Sequence, residues 1–526
     1  MAHRFTVVLV NPPPFQVTQP DYDTPPFGRQ ALAYLAGYLR HFEKDVRVEI
    51  VDAKLERLDF ETTVTRVLGA EPDVVGLGAL TCEIKPAAHV ATLLKQASPR
   101  ITTVIGGVHV TAIPEQTLRE FSQFDIGVRG EGEVTFHELC VALRDKAPLA
   151  GIPGLVLRTA DGITTTGPRE RIADQDSIPF PAWDLMPPAK QYILMSQRGC
   201  PFNCLFCMNP NGRTARPRSI QNFMDELLLV VNTYGTRDIR FGDELLSVNM
   251  DRTHELLDAM IASGVNKKIT WTAQTHVHFV DLRMFKKMKL AGARRIGMGI
   301  ETGDVEMLKH TGKGSTPDMI VAAAAAAREA GLPIETYLIL GHPNETLASM
   351  KKTIDLAVRI NPDTPIFGIM VPFPGTEVGR MAAAGEGGYR LRSSNWDDYD
   401  KQIGGALEFA NLSRIQIERL QIQAYFKVFL KNHRYLDLVR FCWRYKREGL
   451  TVATKILLGR KDKLAPDRAA DGVESLAASA EEIITATKDW QQWQKTDLAR
   501  LKKLRPGQSN VVFIENQRKP ADEASQ

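Results

Sequence analysis

The chain has 526 residues, more than one ordinary domain accommodates, so several cores must be read separately. With 44% hydrophobic, 24% charged and 7% aromatic residues and a mean hydropathy of −0.19, the composition is globular and excludes disorder throughout. No apolar run reaches the ~18 residues a spanning helix needs, and Pro12 to Pro14 interrupt the apolar start where a signal peptide would continue, so the expected location is cytoplasmic.

From residue 1 to 150, short apolar runs alternate with amphipathic stretches. FTVVLV (5–10), VRVEIV (46–51), DVVGLGAL (73–80), ITTVIGG (101–107) and DIGVRGEGE (125–133) read as buried strands. ALAYLAGYLRHF and HVATLLKQA, between them, have helical spacing, and the alternation predicts an α/β, doubly wound parallel sheet. Ligands of such sheets bind beyond the carboxyl ends of the strands. Those ends carry Asn11 to Pro14, Asp52, Gly78 to Glu83 with Thr81, Gly106-Gly107-Val108-His109, and Arg129-Gly130-Glu131-Gly132-Glu133. The glycines admit close backbone approach and the polar neighbours supply hydrogen bonds, although any one loop alone reads equally well as a tight turn.

Residues 151–190, proline-rich around IPFPAWDLMPP, read as a linker with room for a short hairpin. A second strand–helix series spans 191–405: YILMSQRGC (192–200), TRDIRFGDE (236–244), KKITWTAQTHV (267–277), ARRIGMGIETG (293–303), PIETYLILGHP (333–343) and TPIFGIMVPFPGT (364–376). Six β/α units predict a partial barrel whose active site lies at the strand carboxyl ends. Residues 406–504 read as a helical, basic region, with Tyr435, Leu438, Val439 and Cys442 on one face, and 505–526 as a disordered tail. From Asn411 onward 22 Lys and Arg face 14 Asp and Glu, so the whole basic excess lies in the last fifth.

The chemistry is concentrated in Cys200-x3-Cys204-x2-Cys207, directly after a strand. In a reducing compartment such a cluster points to metal rather than disulfides. Structural zinc takes four ligands in paired knuckles, and no second Cys-x2-Cys exists. Three close thiolates suit three irons of a 4Fe-4S cluster and leave the fourth open to a ligand. Cys82, Cys140 and Cys442 read as ordinary buried cysteines, Cys82 lying at a cofactor-side strand end, and Trp271 reads as core.

RGCPFNCLFC, with Phe206 before the third cysteine, resembles the CxxxCxxC motif of the radical S-adenosylmethionine (SAM) superfamily. The resemblance implies that the open iron binds SAM, whose one-electron cleavage yields a 5′-deoxyadenosyl radical, the cofactor supplying the chemistry and the barrel positioning it. It also implies site residues at the other strand ends. Asp243 and Glu244 would receive the SAM ammonium, Gln274 stands at the following strand end, Glu301 and Thr302 would contact ribose and carboxylate, and Leu340-Gly341 would run along the adenine.

A doubly wound domain before such a barrel, with GGVHVT and RGEGE at successive strand ends, resembles the cobalamin-binding subclass. The branch it resembles holds anaerobic magnesium-protoporphyrin monomethyl ester cyclase and the hopanoid and bacteriochlorophyll methylases. Thr81, Gly106 to His109 and Gly130 to Glu133 are then the implied cobalamin contacts. One departure is plain: where related cobalamin domains carry Asp-x-His-x-x-Gly, this chain reads Asp52-Ala-Lys54-Leu-Glu-Arg57, without the histidine.

The resemblance implies that one SAM methylates the cobalamin while another yields the radical that activates an unactivated carbon of a small-molecule or lipid-like intermediate. An external one-electron reductant such as ferredoxin or flavodoxin is required. Two alternatives stay open, a cobalamin-dependent cyclase or oxidase that moves no methyl group, and a cobalamin- or cluster-based sensor. No nucleic-acid motif accompanies the basic tail. Its stretch Lys431 to Lys463, ten basic against three acidic residues, reads either as a solvated face or as a peripheral contact with the inner membrane face or an anionic substrate.

Overall fold

A computed structural model describes residues 4–17, 23–400, 405–446, 473–504 and 511. The first sheet follows from strands buried on both sides: all six residues of β1 (Thr6–Asn11) are buried, as a parallel sheet between helical layers demands. It continues with β2 (Arg47–Asp52), β3 (Val74–Gly78), β4 (Thr102–Gly106) and β5 (Ile126–Val128), in the order β2-β1-β3-β4-β5, a doubly wound topology. Helix α1 (Gln30–Phe42) packs on one face. The hairpin expected in the linker is β6 (Leu155–Thr159) with β7 (Gly162–Thr165). It is hydrogen-bonded antiparallel to β5, so this sheet has seven strands and runs to Thr165, past the expected boundary at 150.

The second sheet has six parallel strands, β8 (Tyr192–Leu194), β9 (Asp238–Phe241), β10 (Thr270–Thr275), β11 (Ala293–Glu301), β12 (Ile334–Leu340) and β13 (Thr364–Ile369), in simple sequential order. This is the partial (β/α)6 barrel the sequence predicts, with β8 and β13 at its edges. The β13 edge is covered by helix α2 (Arg414–Lys431), where Tyr425 Oη accepts from Phe367 N (3.0 Å) and Gln421 Nε2 donates to Phe367 O (2.6 Å). Those side chains satisfy backbone groups that an open edge would leave unpaired.

The two sheets share a core. One hydrophobic cluster runs from Val7, Leu9 and Leu39 through the linker's Trp183 and Met186 to Leu194, Phe241 and Trp271, the last in the core as expected. The linker can lie on α1 because Gly37 has no side chain: a Cβ there would stand 2.4 Å from Phe180 O.

The helical region is confirmed in its described parts and corrected in two details. Helix α3 (Tyr435–Arg444) packs through Leu438 and Phe441, and Phe441 stacks on Tyr425 at 4.4 Å. Tyr435, Leu436, Val439 and Trp443 face outward at 56–74% exposure, so the expected grouping of Tyr435, Val439 and Cys442 with Leu438 is not a packed face. Cys442 is accordingly exposed and Cys82 half-buried, whereas Cys140 is buried as expected. Beyond Lys446 the basic stretch lies outside the described residues until helix α4 (Val473–Leu501), as does the 505–526 tail apart from Val511. No helix of the described residues is long and apolar enough to cross a membrane.

Candidate active site

The cysteine loop leaves the carboxyl end of β8 and is held by its own backbone. Cys200 N donates to Gly212 O (3.0 Å), Cys207 N to Cys204 O (3.0 Å), and Asn209 Nδ2 to Cys200 O (2.5 Å). Gly199 is required at its root, since a Cβ there would stand 2.0 Å from Thr214 O. Burial pushes the Cys200 and Cys204 thiols up to about 12, and partial desolvation raises the Cys207 thiol although that residue is exposed at the loop's surface. Such thiols are protonated until a metal displaces the proton.

Among the described residues no three His, Cys, Asp or Glu side chains are arranged to hold a single metal ion. The donor set fits a group that spreads its metals, one iron per thiolate, and does not fit a zinc knuckle.

Glu244 and Asp243 share a strand end but differ in use. Glu244 accepts from Gly199 N (3.0 Å) and from Asn211 Nδ2, and its charge acts on Cys200 and Cys207. Asp243 faces inward, accepting from Ser196 N (2.7 Å) and Ser196 Oγ (2.6 Å), and burial raises its carboxyl to about 6. It fixes the start of the cysteine loop. Gln274, half-buried on β10, accepts through its carbonyl from Leu246 N (2.8 Å), tying the loop after β9 to the next strand.

At the end of β11, Glu301 takes a left-handed conformation (φ 66°) and pairs with Lys313. Lys313 is half-buried, and its charge acts on Cys200, Cys204 and Cys207. Thr302 is turned away from this group, bonded to Thr353 Oγ1 (3.0 Å). After β12, Leu340 is core. Gly341 N and His342 N donate to Glu345 Oε2 (2.6 and 2.9 Å), and Gly341 O accepts from Tyr389 Oη (2.6 Å). Phe206 stands edge-on to His342 at 6.4 Å, so the end of β12 reaches the cysteine loop. Burial holds the His342 imidazole down at about 4 and lifts Glu345 to about 7.

The ends of the first sheet are built differently. Gly107 (φ 104°) passes so close to Ala79 that a Cβ would meet its carbonyl at 2.5 Å, whereas a Cβ on neighbouring Gly106 would meet nothing nearer than 3.9 Å. Bare backbone beside an unfilled side-chain position is the kind of cradle that receives a flat cofactor. Thr81 opens a buried turn after β3, and Val108 begins a short helix ending at Ala112. His109 is fully buried, edge-on to Trp396 at 4.8 Å, with neither ring nitrogen hydrogen-bonded to the described residues, and burial lowers it to about 3.

Gly130 N donates to Thr111 Oγ1 (3.0 Å), and Gly132 lies against Leu35. Glu131 and Glu133 are engaged by arginines of the barrel side. Glu131 pairs with Arg216, Glu133 with Arg198 at 2.6 Å, and Arg198 also lies 3.8 Å from Glu131. Burial alone would raise Glu131, but Arg216 and Arg198 hold it at about 2. In place of the missing histidine, Lys54 pairs with Glu83 (2.6 Å), which also holds Arg29 (2.6 Å), while Asp52 accepts from Asn11 Nδ2 (2.7 Å).

The two sets of strand ends meet at Met208, the residue after the third cysteine. A Cβ on Gly375, in PFPGT, would stand 3.1 Å from Met208 Cγ and 3.2 Å from Ala112 Cβ, so three loops touch there. Helix α4 covers the junction: Trp490 Nε1 and Gln494 Nε2 donate to Met208 O (3.0 and 3.1 Å), and Asp497 pairs with buried Arg171 (2.7 Å). Lys313, Arg198, Arg216 and the α4 tryptophans were not singled out from the sequence. Only Lys313 carried a local signal, its two flanking glycines.

A three-cysteine loop at the mouth of an open six-stranded barrel, with the adjoining Met208 packed against the strand ends of a doubly wound domain, defines a radical SAM enzyme with a cobalamin-type domain. Family models agree: the radical SAM superfamily matches residues 194–357 and the B12 binding domain residues 17–140. An uncharacterized methyltransferase of Pyrococcus horikoshii is 33% identical over 81% of this chain and 92% of its own length. Anaerobic magnesium-protoporphyrin IX monomethyl ester cyclase of Cereibacter sphaeroides is 29% identical over 66% of this chain and 58% of its own.

Two solved structures share the fold. The methyltransferase TsrM of Kitasatospora setae has a TM-score of 0.66 at 18% identity, covering 82% of this chain and 89% of its own. The cobalamin-dependent enzyme OxsB has a TM-score of 0.65 at 17% identity, covering 94% and 80%. The chain therefore belongs to the cobalamin-binding radical SAM family, enzymes that work with a 4Fe-4S cluster, SAM and cobalamin.

Proposed function

We propose that this enzyme transfers a methyl group to an unactivated carbon of a small-molecule or lipid-like biosynthetic intermediate. The observation that carries the reading is the contact of Met208, Ala112 and Gly375, which puts the ends of the first sheet against the cysteine loop. The names of relatives, methyltransferase for the Pyrococcus horikoshii protein and hopanoid C-3 methylase for one of Methylococcus capsulatus at 25% identity, support it.

When bound, the cofactors supply radical hydrogen removal and the methyl group. The chain's residues hold and shield them. Cys200, Cys204 and Cys207 hold the cluster. Glu244, anchored at the root of the cysteine loop by Gly199 N and Asn211 Nδ2, receives an ammonium, while Asp243 keeps the loop in place. Glu301 with Lys313, and the Leu340-Gly341-His342 backbone beside Phe206, line the SAM end. Thr81, Gly106, Gly107, Val108 and Gly130 form the cobalamin cradle, with His109 beneath it. Glu131, Glu133 and Gly132 fix the angle between the domains through Arg198 and Arg216. Trp490 and Trp493 exclude water from the junction that Met208 and Val108 share.

A ferredoxin- or flavodoxin-type donor supplies the electron. The outward face of α3, with Arg440 and Arg444 beside Leu436 and Trp443, supports a peripheral membrane contact. The second reading, ring formation without methyl transfer, draws on the likeness to the cyclase. Reconstitution with iron, sulfide, cobalamin and methyl-deuterated SAM separates them. A product carrying the labelled methyl group supports methylation; 5′-deoxyadenosine with an unlabelled, cyclised or oxidised product would replace it with the second reading.

A further inference from the structure

The short loop Gly312-Lys313-Gly314 was assigned nothing by the motifs, yet it is pressed against the cysteine loop. Gly312 (φ 78°) would put a Cβ 2.3 Å from Asn203 O, between the first two cysteines, and Gly314 (φ 67°) lies over His278. A third glycine clears the path of the lysine: a Cβ on Gly299 would stand 2.4 Å from Lys313 Nζ. The ammonium is thus threaded into a largely enclosed position, its side chain 12% exposed, paired with Glu301 and donating to Gly299 O (3.3 Å). Burying an ammonium is costly, so three glycines and a carboxylate arranged around one lysine need a reason.

The loop that carries the ammonium lies directly on the cysteine loop: a Cβ on Gly312, next to Lys313, would also stand 3.5 Å from Cys204 N. At Cys204 the influence of Lys313 exceeds that of Glu301. At Cys207 Lys313 acts with the same sign as Arg213 and less strongly, and at Cys200 its influence is weaker than those of Glu244 and Cys207. On the other side Glu244 acts with opposite sign on Cys200 and Cys207. A fixed cation beside a metal–sulfur group in a poorly solvated site stabilises the form that has gained an electron.

We propose that Lys313 is a positioning residue: a built-in countercharge that makes the cluster held by Cys200, Cys204 and Cys207 easier to reduce. Glu301 and Gly299 set its place. The inference rests on the cysteines holding a cluster, as proposed above. It adds that an external donor meets a potential tuned by this loop.

The test is a redox titration of the anaerobically reconstituted full chain, followed by electron paramagnetic resonance, with iron content measured on each sample. The variant Lys313→Met at wild-type iron content is expected to show a more negative midpoint potential, and Lys313→Arg to restore most of the shift. Glu301→Gln, which removes the balancing carboxylate and keeps the ammonium, is expected to move the potential the other way and stands in if Lys313→Met holds no iron. Unchanged potentials in the iron-loaded variants, including a case where only SAM affinity falls, would overturn the inference and leave the cluster assignment intact. A wild type that binds no iron would remove both.

Discussion

The carboxyl ends of the two parallel sheets occupy equivalent places in their folds yet use charged residues in opposite ways. At the barrel end, Glu244 and the Lys313–Glu301 pair sit against the cysteine loop, and their charges act on its thiols. At the end of the first sheet, Glu131, Glu133, Glu83 and Lys54 are closed into ion pairs with other elements, leaving glycine backbone at the cradle. The difference matches what each end must hold. A charged, redox-active group needs fixed charges near it, whereas a large, flat cofactor needs bare backbone and a rigid frame.

The sharpest way to break the comparison is at the barrel end. Cys204→Ala is expected to abolish 5′-deoxyadenosine formation entirely, read by chromatography of anaerobic reactions, while cobalamin still binds. Retained turnover would mean that the charges there serve another group.

At the first sheet the expected effects are structural. Glu131→Ala leaves Arg216 buried without its main partner and should cost about 3–5 kcal/mol, measured by denaturant unfolding. A loss near zero would show that the two sheets are not clamped by this pair. Glu83→Gln should cost somewhat less, about 3 kcal/mol at neutral pH, since Arg29 retains some solvent contact.

Glu83 also carries a pH signature. Burial would raise its carboxyl, but Arg29 and Lys54 win and bring it from 4.5 to about 2. A depressed carboxyl stabilises the fold above its unfolded value, and that contribution fades as pH falls from 4.5 toward 2. Thermal melts of the wild type should lose stability across that window, and Glu83→Gln should lose less.

The smallest stability effect belongs to the exposed face of α3. Leu436→Ser and Trp443→Ser should change stability by no more than about 0.5 kcal/mol, because both side chains point outward. They should nonetheless weaken pelleting with anionic liposomes, and equal pelleting would remove the membrane contact from the proposal.

Much of this was legible in the sequence because strands buried on both faces announce themselves as unbroken apolar runs. FTVVLV and VRVEIV lie within one residue of the observed strands, and six barrel strands were expected and six are present. The cysteine spacing is local and needed no structure. What could not be read depends on partners far apart in the chain. That Glu131 answers Arg216 and not a ligand, or that Trp490 covers Met208, is decided by tertiary contact, for which no spacing rule exists. The α3 face was misjudged for a related reason: Phe441, not Cys442, finds an aromatic partner in Tyr425.

The central claim is that three cysteines hold a cluster with one iron left open for SAM. Its most direct test is the electron paramagnetic resonance spectrum of the reduced, anaerobically reconstituted protein, recorded with and without SAM. The account predicts a 4Fe-4S signal that changes on SAM addition. A protein with no such signal, or a signal indifferent to SAM, would contradict it.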